Sequence, residues 1–224
     1  MYKILEKTQF SEKVFKFRIE APQMAKHAHA GQFLMVRANE CGERVPFTFA
    51  DWNPEEGWVE FIFMVIGKTT RMLSTYEVGD FLQDVTGPLG EPTEMGEGKW
   101  AVIGGGVGLA IAFPVARQLV AAGREVHAIM GARTKELLLL EDQFRSILDD
   151  DHIHITTDDG SLGEKGVVTA PLERLLQDKQ VDRVFCVGPV PMMKFSTLTA
   201  EKYDTPIIAS LYPIMVDGTG MCGC

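Results

Sequence analysis

The sequence predicts a two-domain α+β fold, an antiparallel β-barrel followed by an α/β domain with a doubly wound parallel sheet. Up to about residue 98 the apolar positions recur with period two, in short runs rich in β-branched and aromatic side chains. After residue 99 short apolar strands alternate with helices of about 10 to 15 residues, the pattern of a parallel sheet with crossover helices. Between these halves lies GPLGEPTEMGEG, residues 87–98, crowded with turn formers and expected as the linker.

In the first half, strands are expected at 13–20, 32–37, 47–52, 58–65 and 81–85. Short strands separated by turns are best accommodated by closing the sheet into a barrel. Residues 68–76, KTTRMLSTY, break the period: their spacing is helical and they lack glycine and proline. The second half runs WAVIGGG, LAIAFPVARQLVAAG, EVHAIMGAR, LLEDQFRSILDD, HIHITT, VVTAPLERLLQDK, DRVFCVG, PMMKFSTLTAEKY and PIIASLY, strand and helix by turns. The expected domains are 1–98 and 99–211, with 212–224 as a separate C-terminal segment.

The 224 residues suffice for two domains of about 100 residues each. With 46% hydrophobic and 24% charged residues there is apolar surface for two cores, so disorder is not expected. A net charge of −9 and the lack of any Lys/Arg cluster argue against a nucleic-acid partner. The opening MYKILEKTQFSEKVF has no apolar stretch of signal-peptide length, and the most apolar run, 102–120, is broken by glycines, Pro114, Arg117 and Gln118. A cytoplasmic protein without a membrane span is expected. Cys41 and Cys186 are isolated and expected as buried thiols, whereas Cys222 and Cys224 sit together, as metal ligands do. His27, His29, His127, His152 and His154 show no zinc-type spacing to any cysteine and are expected to be structural.

Val102 and Ile103 end an apolar strand, and Gly104, Gly105, Gly106, Val107 and Gly108 lead from it into a helix. Such a loop lets backbone amides and the positive end of the helix dipole meet a pyrophosphate. Leu109 stands where the strict Gly-x-Gly-x-x-Gly fingerprint has its last glycine, so another phosphate ligand or a tight structural turn is the alternative. Gly188 and Pro189 follow the strand 184–187 in the same way, at the strand end where ligands gather in open α/β sheets. Arg133, after the next strand, could meet a ribose phosphate, and Glu141 a ribose hydroxyl; an exposed arginine is the plain alternative.

In the barrel half, Arg44-Val45-Pro46-Phe47-Thr48 sets a cation, a rigid proline and a hydroxyl at the start of a strand, and Gly67-Lys68-Thr69-Thr70 opens the predicted helix. Alone, the first is a charged turn. Followed by Gly87-Pro88-Leu89-Gly90 and the glycine loop, the series resembles the ferredoxin reductase superfamily of flavoproteins over nearly the whole chain. The resemblance implies an FAD-binding barrel before a pyridine-nucleotide domain. It assigns Arg44 to the FAD pyrophosphate, Val45, Pro46 and Phe47 to the flavin pocket, and the Thr48 hydroxyl to the reactive ring nitrogen. Gly67, Lys68, Thr69 and Thr70 would cap the pyrophosphate. The loop 158–163, which contains Asp159, and Gly188-Pro189-x-Pro191-Met192-Met193 are similar to the branch of dihydroorotate dehydrogenase electron-transfer subunits. A solvated turn is the alternative for the loop, and helix core for the two methionines.

The chain finishes Asp217-Gly218-Thr219-Gly220-Met221-Cys222-Gly223-Cys224, small residues around closely spaced thiols, which suits a [2Fe–2S] cluster; a disordered Gly/Cys tail that holds no metal is the alternative, the more so in the sequence as given, which offers at most three of the four ligands normally required. The family's first cysteine is here Asp217, as in the small subunits of NAD-dependent ferredoxin:NADP oxidoreductases, flavin-based bifurcating enzymes. Asp217, Cys222 and Cys224 are the candidate ligands; Cys224 breaks the family spacing, and the next ligand would fall just past it. The given sequence is therefore expected to break off inside the motif. By resemblance the function is electron transfer between NAD(H), FAD and the cluster, in a heterodimer with a larger flavin/iron–sulfur subunit. The rivals are a dihydroorotate dehydrogenase electron-transfer subunit, against which Asp217 speaks, and a non-catalytic scaffolding or regulatory subunit, against which Arg44, Thr48 and Thr70 speak.

Overall fold

The computed structural model describes residues 1–211, which form two compact units, Met1–Thr93 and Glu94–Leu211. The first consists of β1 (Tyr2–Ser11), β2 (Val14–Glu20), α1 (Pro22–Ala25), β3 (Phe33–Arg37), β4 (Arg44–Asn53), β5 (Trp58–Met64), α2 (Lys68–Ser74), β6 (Phe81–Leu82) and β7 (Asp84–Leu89). The seven strands form one antiparallel sheet in the order β6-β1-β2-β5-β4-β3-β7. Only Gln83 separates the outermost strands in sequence, so the chain itself brings the two edges together and the sheet is a nearly closed barrel. Alternate residues of β2, β4 and β5 fill it: Phe15, Phe17, Phe47, Phe49, Phe61 and Phe63 share one core. Phe47 stacks on Phe61 at 5.0 Å between ring centres, and Phe17 meets Phe63 edge-on at 5.1 Å.

In this unit β1 was not expected. In β1 only Ile4 is buried, and its pairing with β2 is irregular at two places, so no period-two signal survives in YKILEKTQFS. Its polar side chains serve ion pairs instead: Glu6 meets Lys16 and Arg18, which also hold the buried Glu60.

The second unit contains β8 (Trp100–Gly105), α3 (Leu109–Ala121), β9 (Val126–Ala132), α4 (Glu141–Arg145), β10 (Ile153–Thr157), β11 (Glu164–Lys165), α5 (Thr169–Gln177), β12 (Arg183–Val187), α6 (Val190–Glu201) and β13 (Ile207–Ala209). Its six strands are parallel, in the order β11-β10-β9-β8-β12-β13. α3 packs on β8, β9 and β12, and its Phe113 meets Phe144 of α4 edge-on at 5.3 Å. On the other face Ala101, Ile103 and Ile129 share a core with Leu172 and Leu175 of α5 and Met193 of α6. This is the doubly wound sheet expected. α4 is shorter than the sequence suggests, because Leu140 takes a left-handed conformation (φ 62°) before it and the Ser146 hydroxyl donates to the Gln143 carbonyl at its end.

The glycine-rich tract is divided between the units. Gly87 to Leu89 belong to β7, whereas the carbonyls of Gly96 and Glu97 accept from Trp100 Nε1 and Arg183 Nε of the second unit. Among the described residues no helix is long and apolar enough to cross a membrane.

Candidate cofactor sites

Along β4 the alternation of the strand separates the predicted pocket residues. Val45, Phe47 and Phe49 pack with the barrel core, so Arg44, Pro46 and Thr48 share the opposite face. Phe47 is therefore a core residue, stacked beneath the strand rather than presented beside Pro46. Arg44 donates from Nη2 to Asp84 Oδ2 at 2.6 Å and from Nη1 to Thr86 Oγ1 at 3.3 Å.

The register adds a residue that no motif suggests. Arg37 on β3 stands directly opposite both Arg44 on β4 and Asp84 on β7, so two arginines and one aspartate line one face across three strands, with the carboxylate held by Arg44. Arg37 Nε is buried and has no hydrogen-bond partner among the described residues. A buried cationic donor left unmet costs about 1–3 kcal/mol, so this strip is short of an anion. Only strand pairing reveals it; in sequence, Arg37 is an ordinary strand end.

Gly67, Lys68, Thr69 and Thr70 open α2. Thr70 Oγ1 accepts from the amides of Ile66 and Gly67 at 3.0 and 3.1 Å, fixing the chain's entry to the helix. The amides of Lys68, Thr69 and Thr70 fall in the first turn, where a helix offers no internal acceptor, and Lys68 is exposed.

In the second unit the switch point lies between β8 and β12, from which the crossovers diverge to either side. Gly104 and Gly105 end β8, Gly106 to Gly108 form a 3-10 turn leading into α3, Gly188 directly follows β12, and the two loops touch. A methyl group on Gly188 would lie 3.1 Å from the Gly105 amide nitrogen and 2.7 Å from Met192 Cε; one on Gly105 would lie 2.5 Å from Met192 Sδ. A methyl on Gly104 would strike Leu109 of α3 at 2.6 Å, and on Gly108 the Val187 carbonyl oxygen at 2.5 Å. Three of the four loop glycines thus permit close packing. Gly106 differs: its φ is +56° and nothing lies within 4 Å of the position its side chain would take, so its backbone borders open space. Val107 is half-buried and Pro189 exposed at the same crevice. Met192 shields the loop, and Met193 is buried in the core, as expected for it.

The acidic loop sits at the same end of the sheet. Ser161 donates to Asp159 Oδ1 from its hydroxyl at 2.6 Å and its amide at 3.0 Å, which holds the Asp159 carboxyl below its usual pKa. The Ser161 hydroxyl oxygen in turn accepts from the Lys135 amide, and the Asp159 amide donates to the Arg133 carbonyl at 3.3 Å. The exposed Arg133 and Asp159 are thereby brought together at the ends of β9 and β10, whereas Glu141 is engaged with Arg145 at 2.9 Å. Asp217, Cys222 and Cys224 lie outside the described residues.

One expectation requires correction. Cys41 is exposed, in a surface turn where its amide donates to Asn39 Oδ1; of the two described cysteines Cys186 is the buried one, and burial pushes its thiol up to about 11. His127, His152 and His154 converge, and burial together with the two neighbouring rings lowers the His127 pKa to about 4.

Comparison with known proteins agrees with this geometry. Residues 1–93 match the oxidoreductase FAD-binding domain and residues 102–197 the oxidoreductase NAD-binding domain. A dihydroorotate dehydrogenase B (NAD(+)) electron transfer subunit homolog from Thermotoga maritima is 47% identical over 98% of this chain and 77% of its own length. A probable electron transfer subunit of the same enzyme from Methanocaldococcus jannaschii is 33% identical over 86% of this chain and 71% of its own. The structure described as NADH-dependent reduced ferredoxin-NADP oxidoreductase, solved to study flavin-based electron bifurcation, superposes with a TM-score of 0.90 at 46% identity, over 100% of this chain and 80% of that one. A ferredoxin reductase of carbazole 1,9a-dioxygenase, at 22% identity and a TM-score of 0.74, shares the fold.

The class is thus an oxidoreductase with FAD-binding and NAD-binding domains on one chain. More narrowly, the chain belongs to the family of ferredoxin-reductase-like flavoproteins formed by the electron-transfer subunits of dihydroorotate dehydrogenase B and their homologues. An electron-transfer flavoprotein subunit is what the motif order implied.

Proposed function

We propose that the chain is the small subunit of an NAD(H)-dependent ferredoxin:NADP oxidoreductase, passing electrons between NAD(H), FAD and a [2Fe–2S] cluster to a larger flavin- and iron–sulfur-bearing subunit. The observation that carries the proposal is an anion-deficient arginine strip in an FAD-type barrel on the same chain as a switch-point crevice built for a dinucleotide.

In this proposal Arg44 and Arg37 receive the FAD pyrophosphate, with the first-turn amides of Lys68, Thr69 and Thr70 and the entry fixed by Gly67. Pro46 walls the ring pocket, with Val45 and Phe47 as its underlayer. Thr48 presents a hydroxyl, able to donate or accept, toward the ring nitrogen that changes protonation. FAD supplies what side chains cannot, taking the two electrons of a hydride and releasing them singly. Gly104, Gly105, Gly106, Val107 and Gly108, with Gly188 and Pro189 opposite, take the dinucleotide phosphates. Arg133 and Asp159 border the ribose, and the fixed negative charge of Asp159 favours NAD(H) over its 2′-phosphorylated counterpart. Asp217, Cys222 and Cys224 are assigned to the cluster from the chemistry of their donors: two thiolates and a carboxylate, short of the four ligands normally used. The free thiols Cys41 and Cys186 suit a reducing cytoplasm.

The second reading, a dihydroorotate dehydrogenase electron-transfer subunit, is favoured by the 47% identical homolog of that subunit from Thermotoga maritima. Affinity purification from the source cells separates the two. A co-purifying subunit that reduces NADP supports the proposal; one that oxidises dihydroorotate replaces it.

A further inference from the structure

His127 and, some 25 residues on, the pair His152 and His154 meet at the amino end of the parallel sheet. His127 is the second residue of β9, His154 the second of β10, and His152 closes the short 3-10 turn just before β10. β9 and β10 pair with Ile153 opposite Ala128 and His154 opposite Ile129, so the side chains of His127 and His154 emerge on one face. The His127 and His152 rings are 4.6 Å apart, and His127 Nδ1 lies 3.2 Å from His154 Nε2. Glu125, in the turn before β9, has its two oxygens divided: Lys99 holds Oε2 at 3.3 Å, while Oε1 faces His127 Nε2 at 3.7 Å. One ligand atom each from Glu125, His127 and His152 lie within 4.8 Å of one another.

We propose that Glu125, His127 and His152 form a zinc(II) site, with His154 as the residue that orients His127. A neutral imidazole has one N–H. If Nδ1–H of His127 is donated to His154 Nε2, the free lone pair of His127 Nε2 faces Glu125, the arrangement seen when a metal-binding histidine is fixed through its second nitrogen. Two imidazole nitrogens and a carboxylate oxygen are a common zinc donor set, leaving a fourth position for water. With zinc–nitrogen bonds of about 2.0–2.1 Å, tetrahedral ligands sit about 3.3 Å apart. His127 is buried and fixed, whereas His152 is half-buried and Glu125 exposed, so these two side chains make the small closing movement.

The site is remote from the nucleotide crevice. Five residue steps of strand lead from His127 to Ala132 at the other end of β9, about 17 Å at 3.3 Å per residue. Its effect is structural: the ion ties the turn 150–152 to β9.

The test is zinc chloride titrated into the full chain and into His152→Ala, with bound metal counted by elemental analysis after gel filtration. Thermal midpoints are measured on the same samples. Cys222 and Cys224 are present in both proteins, so the difference isolates the histidine site. His152 lies on a surface turn, and unchanged far-UV circular dichroism and flavin content verify the variant's fold. The expected result is one zinc fewer in the variant and a zinc-dependent rise in midpoint in the parent alone; His154→Phe should bind roughly 10- to 100-fold more weakly. Equal zinc stoichiometry in parent and His152→Ala overturns the proposal, whatever the midpoints do.

Discussion

Arg44 and Arg37 illustrate how a charged side chain can be useful because its own structure does not fully satisfy it. Asp84 occupies Arg44, but it cannot neutralise both guanidiniums, and Arg37 Nε has no partner among the described residues. Replacing either arginine by alanine should weaken FAD retention by roughly 10- to 100-fold, as expected for a charge-assisted hydrogen bond of about 1.5–3 kcal/mol; flavin released on gel filtration measures it. The glycine loop gives a sharper contrast. Gly108→Ala drives a methyl into the Val187 carbonyl and should cost about 2–3 kcal/mol in urea unfolding. Gly106→Ala meets no neighbour and should cost only about 1 kcal/mol, for its left-handed conformation, while weakening NADH binding. Arg44 and these glycines were legible because their chemistry is local. Arg37 and the histidine cluster were not, since each acquires meaning from strand register, which a period-two pattern does not encode.

At the scale of elements, β1 shows what replaces an apolar face when a strand has little core to cover. Glu60 is buried beside Lys16 at 3.1 Å and Arg18 at 2.7 Å, and Glu6 meets the same two cations. Glu60→Ala leaves both cations with Glu6 alone and should destabilise the barrel by about 2 kcal/mol, less than for a fully buried pair because Glu6 still meets them and Arg18 is partly exposed. Burial pulls the Glu6 carboxyl up, but the Thr8 hydroxyl, Lys16 and Arg18 outweigh it and hold its pKa below 4.5. The folded state therefore binds fewer protons than the unfolded state in acid. Its stabilising effect is complete above about pH 4.5 and is lost as the pH falls through and below that value. Urea midpoints from pH 7 to pH 3 should fall less steeply in Glu6→Gln than in the parent. The same polar character hid β1 from the sequence, whereas β2, β4 and β5, with one aromatic face each, were plain. The shortened α4 was hidden differently: its apolar spacing is helical, but a left-handed Leu140 interrupts it.

For the whole molecule, the two halves of the sequence specify two architectures with different ways of making a site. The barrel offers one face of a strand, where alternation separates core from ligand surface. The parallel sheet offers a switch point, where glycines let two strand ends approach and leave backbone facing open space. That division was legible from hydrophobic period and glycine placement alone, because both are dictated by backbone geometry. The central claim is that the chain holds a flavin that a nicotinamide can reduce. The most direct measurement is the visible spectrum of the purified chain under anaerobic conditions before and after adding NADH. The account predicts a stoichiometric flavin band that bleaches with NADH, and more slowly with NADPH. A protein without flavin even after incubation with FAD, or a flavin band that neither nicotinamide changes, contradicts it.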